Sequence, residues 1–197
     1  MELTIVAFGD SLTVGYRSHG KPIPYCKVLE SMVSKMLSQA EMELHFRIFN
    51  RGINGDLTKN MLSRFQRDVV GLKPTYVIIL GGSNDLGWNL SVKFIFSNLK
   101  KMFEEALKNS IEPIACSVPS ILGFDELIPP RQELNQMIEH YCHQAHLFFV
   151  DLFAVTADPV TQRLREEYSD DGLHLTERGY LIVAEAIFHV LRKKLST

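Results

Sequence analysis

The chain has 197 residues, of which 46% are hydrophobic, so it can bury a substantial core, and its length suits one domain over residues 1–197. Its formal net charge of -2 gives no overall electrostatic footprint for binding nucleic acid. Its three cysteines, Cys26, Cys116 and Cys142, show no CxxC spacing, which argues against a disulfide framework.

The first residues favour a cytoplasmic protein. Glu2 stands where a signal peptide would carry Lys or Arg, and the apolar run that follows is too short for a membrane span. Together with the cysteine pattern, this start predicts a chain that occupies a reducing compartment and does not insert stably into a membrane.

Short apolar runs that end at Gly, Asn, Pro or Asp predict five buried strands. They lie at Leu3–Phe8, Leu44–Phe49, Tyr76–Leu80, Ile114–Val118 and Leu147–Val150. Segments of helical period alternate with them, at Tyr25–Gln39, Thr58–Leu72, Ser91–Asn109, Pro130–His146 and Glu177–Leu195. This alternation predicts a three-layer α/β/α sandwich with a five-stranded, parallel, doubly wound sheet.

Two of these helices show a clear apolar face, as expected for helices packed on a sheet. In the third helix the face consists of Ile95, Leu99, Met102 and Ala106. In the last helix it consists of Val183, Ala184, Ile187 and Leu191, and Thr176 is the predicted N-cap.

Four loops that follow predicted strands are rich in small polar residues. In open parallel sheets, ligands bind beyond the carboxyl ends of the strands, where such loops gather. The loops read "GDSLT" (Gly9 to Thr13), "NRGINGDLT" (Asn50 to Thr58), "GGSND" (Gly81 to Asp85) and "SDDGLHLT" (Ser169 to Thr176). Together they hold the groups that an acyl-transfer site needs.

Serine is a poor nucleophile at neutral pH and needs an adjacent base, whose tautomer a third group must fix. The D-x-x-H spacing of Asp171 and His174 allows the carboxylate to reach Nδ1 of the imidazole and leaves Nε2 free to face Ser11. The oxyanion of the intermediate needs hydrogen-bond donors, which the N–H groups of Ser11 and Gly55 and the amide of Asn84 can provide. Asp10 and Asp85 are interpreted as residues that hold the loops.

These blocks, in this order over nearly the whole chain, resemble the GDSL or SGNH hydrolases. The resemblance implies a flavodoxin-like fold, the nucleophile Ser11 with Asp171 and His174 as the rest of a triad, and an oxyanion hole formed by Ser11, Gly55 and Asn84. Gly52 is the alternative to Gly55, which is preferred because the family's glycine precedes an acidic residue. The chain departs from the family pattern at Leu175, where many members have proline, and at Ser83, where others have Thr or a shorter loop; neither position carries a reacting group.

Other kinds of site are less well supported. Cys142 and the histidines at positions 140, 143 and 146 suggest a metal cluster, but their helical spacing spreads them around the helix, so no metal or other cofactor is expected. The pair Glu166 and Glu167 is interpreted as a solvated face rather than as glycosidase acids. The sequence has neither a phosphate-binding loop nor the G-x-S-x-G elbow of another hydrolase fold.

The sequence therefore predicts a serine esterase acting on a small-molecule ester, with a non-catalytic ligand-binding module of the same fold as the alternative. Carbohydrate deacetylase, thioesterase and lysophospholipase activities all remain open, and so does the oligomeric state. Trp88, Leu122 and Phe124 are predicted either to line the substrate pocket or to cover the end of the sheet.

Overall fold

The computed structural model of the protein describes residues 2–40 and 45–195. Within these ranges five strands form one sheet: β1 (Glu2–Gly9), β2 (His45–Gly52), β3 (Tyr76–Leu80), β4 (Glu112–Cys116) and β5 (Phe148–Val150). All five predicted strands are present, although Leu44, the first residue of the second prediction, lies outside the described residues. The fourth strand lies two residues earlier than predicted and ends at Cys116.

The sheet has the order β2-β1-β3-β4-β5, and every neighbouring pair is parallel. Strand β1 lies between β2 and β3, with Ile5 opposite Tyr76 and Gly9 opposite Leu80. The chain therefore winds to one side of β1 and then to the other, which confirms the predicted doubly wound topology. Because the strands are parallel, their carboxyl ends meet at one edge of the sheet.

Helices connect the strands, and most match the predicted segments. In the described part of the chain they are α1 (Ser11–Val14), α2 (Tyr25–Gln39), α3 (Thr58–Asp68), α4 (Ser83–Gly87), α5 (Val92–Lys108), α6 (Ile128–Ala145), α7 (Leu152–Thr156) and α8 (Glu177–Leu195). Short 3₁₀ turns lie at Val70–Leu72, Asp125–Leu127 and Glu166–Tyr168. Helices α1, α4 and α7 have four or five residues each, too few to produce a periodic pattern in the sequence.

One predicted helix is shorter than expected. The segment Thr58–Leu72 is helical only to Asp68 and then continues as a separate 3₁₀ turn. Val69 departs from ideal helix dihedrals, with φ -117° and ψ -66°, and Lys73 adopts a left-handed conformation immediately before Pro74. The residue before a proline is driven away from the helical region, so the chain cannot continue as a helix into β3.

The two faces of the sheet bury separate cores. Leu3, Ile5 and Ala7 pack toward α2 and α8, whereas Val6 and Phe8 pack toward α3, α5 and α6. This alternation along β1 is the two-residue period of a strand that is covered on both faces. Both predicted helix faces are buried, which confirms the predicted α/β/α sandwich.

Candidate active site

Ser11 lies immediately beyond the carboxyl end of β1. Asp10 follows the last residue of the strand and caps α1, with its side chain accepting a hydrogen bond from Leu12 N at 2.9 Å. Ser11 is the first residue of this helix, and its N–H has no hydrogen-bond partner among the described residues. The tight strand-to-helix turn therefore presents both the hydroxyl and a free N–H at the edge of the sheet.

Ser11, His174 and Asp171 form a continuous hydrogen-bonded chain. His174 Nε2 lies 3.0 Å from Ser11 Oγ, and His174 Nδ1 lies 2.7 Å from Asp171 Oδ2. The other carboxylate oxygen of Asp171 accepts backbone hydrogen bonds from Leu173 at 3.1 Å and from His174 at 2.7 Å. The structure therefore brings together the three residues that the sequence predicts for the triad.

The loop that carries Asp171 and His174 depends on Gly172. This residue has φ +95°, and a Cβ atom added there would lie 2.5 Å from the carbonyl oxygen of Leu122. Only glycine meets both requirements without strain. The resulting turn directs the carboxylate back to the imidazole.

The hydrogen bonds around Asp171 keep its side chain ionised. Partial burial raises the pKa of Asp171, but hydrogen bonds from Ser18, from the ring of His174 and from two backbone N–H groups lower it by more. Its pKa is therefore held well below the usual value for an aspartate. An ionised carboxylate accepts a hydrogen bond from the Nδ1–H group, which fixes the tautomer in which Nε2 is unprotonated toward Ser11.

The second loop offers Gly55 rather than Gly52 as a donor. Gly52 N already donates to Asn50 Oδ1 at 2.9 Å. Gly55 is exposed with φ +73°, and its N–H has no hydrogen-bond partner in the described ranges. The neighbouring residue Asp56 is held by the buried Arg64, whose Nε lies 2.8 Å from Asp56 Oδ2.

Asn84 joins the third loop to the second. It lies in the first turn of α4, and its Nδ2 donates to the carbonyl oxygen of Asp56 at 3.0 Å. An amide group carries two N–H bonds, so one remains for a ligand. Buried Asp85 accepts hydrogen bonds from both the N–H and the hydroxyl of Thr58, which confirms that it holds these loops together.

A cavity of about 480 Å³ lies beside Asn84. Trp88 and Phe124, two of the residues predicted for the substrate pocket, line it and are 75% and 50% exposed. Leu122, the third residue predicted for the substrate pocket, does not line this cavity. Leu122 packs partly against the core, and its N–H donates to the carbonyl oxygen of Gly172 at 2.9 Å.

Several residues around the site were not predicted. The ring of Tyr16 lies 4.5 Å from that of His174, and the hydroxyl of Ser18 donates to Asp171 Oδ2. Arg131 lines the cavity beside Asn84, is almost fully buried, and donates to Ser83 Oγ at 3.1 Å. None of the three carries a motif, because each depends on a contact with a residue far away in the sequence.

The histidine-rich part of α6 does not converge on a site. His140, His143 and His146 are exposed, whereas Cys142 is buried, and burial raises the pKa of its thiol to about 12. No group of three or more His, Cys, Asp or Glu side chains among the described residues has the geometry to hold a metal ion. The three cysteines are buried free thiols.

Three comparisons place the chain among known proteins. An uncharacterized lipoprotein of Bacillus subtilis, YqeF, is 33% identical over 130 residues, which are 60% of this chain, and the chain spans only half of that protein's length. An acetylxylan esterase of Geobacillus stearothermophilus is 23% identical over 164 residues, 77% of this chain and 74% of that protein. The solved structure of a lipase/acylhydrolase from Enterococcus faecalis is 27% identical with a TM-score of 0.79, covering 98% of this chain and 96% of that one.

The class that the fold and the site define is an α/β/α sandwich with its polar site at the carboxyl edge of a parallel sheet. Within this class the chain belongs to the GDSL-like lipase/acylhydrolase family, whose model matches residues 7–182. This is a family of carboxylic ester hydrolases, so the predicted family is confirmed. None of the helices in the described ranges has the length and hydropathy needed to cross a membrane.

Proposed function

We propose that this chain is a serine esterase that hydrolyses a small carboxylic ester through an acyl-enzyme intermediate, and that residues 1–197 act as one domain. The observation that carries the proposal is the hydrogen-bonded chain from Ser11 Oγ through both ring nitrogens of His174 to Asp171. This is the geometry that a nucleophile, its base and the partner of that base require.

In the first half of the reaction, Ser11 Oγ attacks the ester carbonyl carbon while His174 Nε2 takes the hydroxyl proton. The tetrahedral intermediate collapses, the bond to the alcohol oxygen breaks, and His174 returns the proton to the departing alcohol. In the second half, water attacks the acyl-enzyme and gives its proton to the same Nε2. The acid leaves, and Ser11 recovers its proton.

The negative oxygen of the intermediate is stabilised by three donors: Ser11 N, Gly55 N and Asn84 Nδ2. Two observations support this assignment. The N–H groups of Ser11 and Gly55 have no partner among the described residues. Asn84 is held next to Gly55 by its hydrogen bond to the carbonyl oxygen of Asp56. Donors that are already in place lower the energy of developing charge, because the site does not reorganise during the reaction.

The acyl or alcohol part of the substrate occupies the cavity lined by Trp88 and Phe124. Relatives named as an acetylxylan esterase and as an arylesterase from Vibrio mimicus make acetylated sugars and aryl esters the first candidates to test. Thioesters and lysophospholipids are further candidates. The route needs neither metal nor cofactor, and the free thiols support a cytoplasmic location.

The alternative is a binding module that keeps the fold without turnover. Hydrolysis of p-nitrophenyl acetate by the parent protein, compared with Ser11→Ala at equal concentration, separates the two. The esterase proposal expects turnover in the parent and loss of turnover in the variant, with an unchanged melting temperature. Absence of turnover in the parent with every ester tested would favour the binding module.

A further inference from the structure

The segment Tyr16–His19, called the clasp below, leaves α1 and folds over the loop that carries Asp171 and His174. The backbone N–H groups of Ser18 and His19 both donate to Asp170 Oδ2, and Arg17 Nε lies 3.9 Å from Asp170 Oδ1. The side chain of Asp170 is only 6% exposed. The clasp is therefore anchored on Asp170 by main-chain donors, independently of the hydroxyl of Ser18.

The hydroxyl of Ser18 makes a separate contact. It donates to Asp171 Oδ2, the same carboxylate oxygen that faces His174 Nδ1. Asp171 Oδ1 is already occupied by two backbone N–H groups. Each oxygen of the Asp171 carboxylate therefore accepts two hydrogen bonds, and Ser18 donates to the same oxygen as the imidazole.

We propose that Ser18 is a positioning residue of the active site, a fourth member behind Ser11, His174 and Asp171. Its hydroxyl fixes the carboxylate of Asp171, whose negative charge then interacts with both Ser18 and the imidazole. This inference rests on the proposed function, because Ser18 acts on the reaction only through Asp171 and His174. It touches neither the substrate nor the reacting atoms.

Loss of the hydroxyl has a defined electrostatic consequence. With Ser18 absent, the charge on Asp171 Oδ2 is shared with His174 alone, so the protonated imidazole is more strongly stabilised. Protonated His174 cannot act as the base, and it would persist to higher pH. The neighbouring charged or titratable groups are Tyr16, whose ring lies against His174, Arg17 and His19, which contact Asp170, and Tyr180, which lies near both aspartates. A serine substitution leaves all of them in place.

The test compares Ser18→Ala with Ser18→Thr, which keeps the hydroxyl, and with Ser63→Ala, which removes a remote exposed hydroxyl on α3. For p-nitrophenyl acetate, we expect Ser18→Ala to lower kcat roughly three- to tenfold with KM unchanged, which is the size of the net contribution of one ordinary hydrogen bond. The acid-side midpoint of the kcat/KM profile should rise by about half a pH unit. Ser18→Thr and Ser63→Ala should behave like the parent.

A second readout does not depend on turnover. The titration midpoint of the His174 ring resonances, followed by NMR, should rise in Ser18→Ala and return in Ser18→Thr. If the parent hydrolysed no ester, the proposed function would fail, while this titration would still decide the role of Ser18. Should Ser18→Ala not fold, Ser18→Cys replaces it, because a thiol is a weak donor of similar size.

An unmoved midpoint in Ser18→Ala or Ser18→Cys would overturn the inference, even if the melting temperature fell. An equal loss in Ser18→Thr would also overturn it, since the effect would then reflect the fold of the clasp and not the hydroxyl.

Discussion

His174 Nε2 lies 3.0 Å from Ser11 Oγ, although 163 positions separate the two residues in the chain. The parallel sheet makes this contact possible: Ser11 follows the interior strand β1, and His174 belongs to a loop that returns to the same edge. The predictions below test what this arrangement does.

The pH dependence of turnover tests the base. If neutral His174 accepts the proton, kcat/KM should rise with pH across the range in which the imidazole loses its proton. The lowered pKa of Asp171 keeps that carboxylate ionised throughout this range, so a single acid-side limb is expected. EDTA should change nothing. Loss of activity with EDTA and recovery with zinc would contradict the metal-free route.

Replacement of Asn84 tests the oxyanion hole. Asn84→Ala should lower kcat by ~10² to 10³, about 2.7 to 4 kcal/mol, with little change in KM, because the donor acts most strongly once charge has developed. Asn84→Asp should be nearly inactive, since it places negative charge where negative charge must form. The measurement is steady-state kinetics on p-nitrophenyl acetate.

The hydrogen bond from Asn84 to the carbonyl oxygen of Asp56 supports a competing role in loop structure. If that role were the only one, Asn84→Ala would lower the melting temperature and raise KM. The aspartate variant would then remain active. This pair of outcomes would remove Asn84 from the oxyanion hole.

Asp10 should make stability fall as pH rises. Its burial raises its pKa from 3.8 to about 7, so between these values the folded state binds more protons than the unfolded state. By linkage, the free energy of unfolding decreases across this window, by about 4 kcal/mol for such a shift. Asp10→Asn keeps an oxygen for Leu12 N and removes the titration. The difference in free energy of unfolding, Asp10→Asn minus parent, should therefore increase from pH 4 to pH 8. Urea unfolding at each pH measures it.

Asp158 provides a control of opposite sign. It is only partly buried, and hydrogen bonds from Thr161 lower its pKa, so its contribution to stability is present at neutral pH and is lost as the solution becomes acidic. Asp158→Asn should be less stable than the parent near neutral pH.

The Asp10 prediction fails if the stability of Asp10→Asn and that of the parent change with pH in the same way. The buried Asp10 carboxylate would then ionise without loss of stability.

The cavity residues should affect substrate choice. If Trp88 and Phe124 contact the acyl chain, replacing either with alanine should change the ratio of kcat/KM for long and short esters, at ~1 to 3 kcal/mol per methylene-scale contact. Phe94→Ala is the matched control, because Phe94 is also exposed but lies outside the cavity. An unchanged ratio in both cavity variants would mean that these side chains only cover the end of the sheet.

The fold was predictable because its signals are local. The strand Tyr76–Leu80 and the helix Tyr25–Gln39 match their predicted bounds, since apolar runs and helical periodicity are read from neighbouring residues. The helix predicted over Thr58–Leu72 ends at Asp68. Its last residues follow the helical periodicity, but the backbone near Pro74 cannot remain helical.

The candidate site was predictable where it lies in motifs and unpredictable where it depends on distant contacts. Ser11, Asp171 and His174 each belong to a recognisable block. Ser18 reads as an ordinary loop serine, and its partner is 153 positions away. The sequence did not decide the role of Leu122, because an apolar residue after a strand can line a pocket or pack against the core, as Leu122 does in part.

The central claim is that Ser11 is the nucleophile, and covalent labelling tests it most directly. The protein is incubated with a fluorophosphonate probe, digested, and analysed by mass spectrometry to locate the adduct. The account predicts one adduct, on Ser11, that forms more slowly in Asn84→Ala and His174→Ala and is absent from Ser11→Ala. Ester hydrolysis near the parent rate in Ser11→Ala, or an adduct on another residue with Ser11 unmodified, would contradict it.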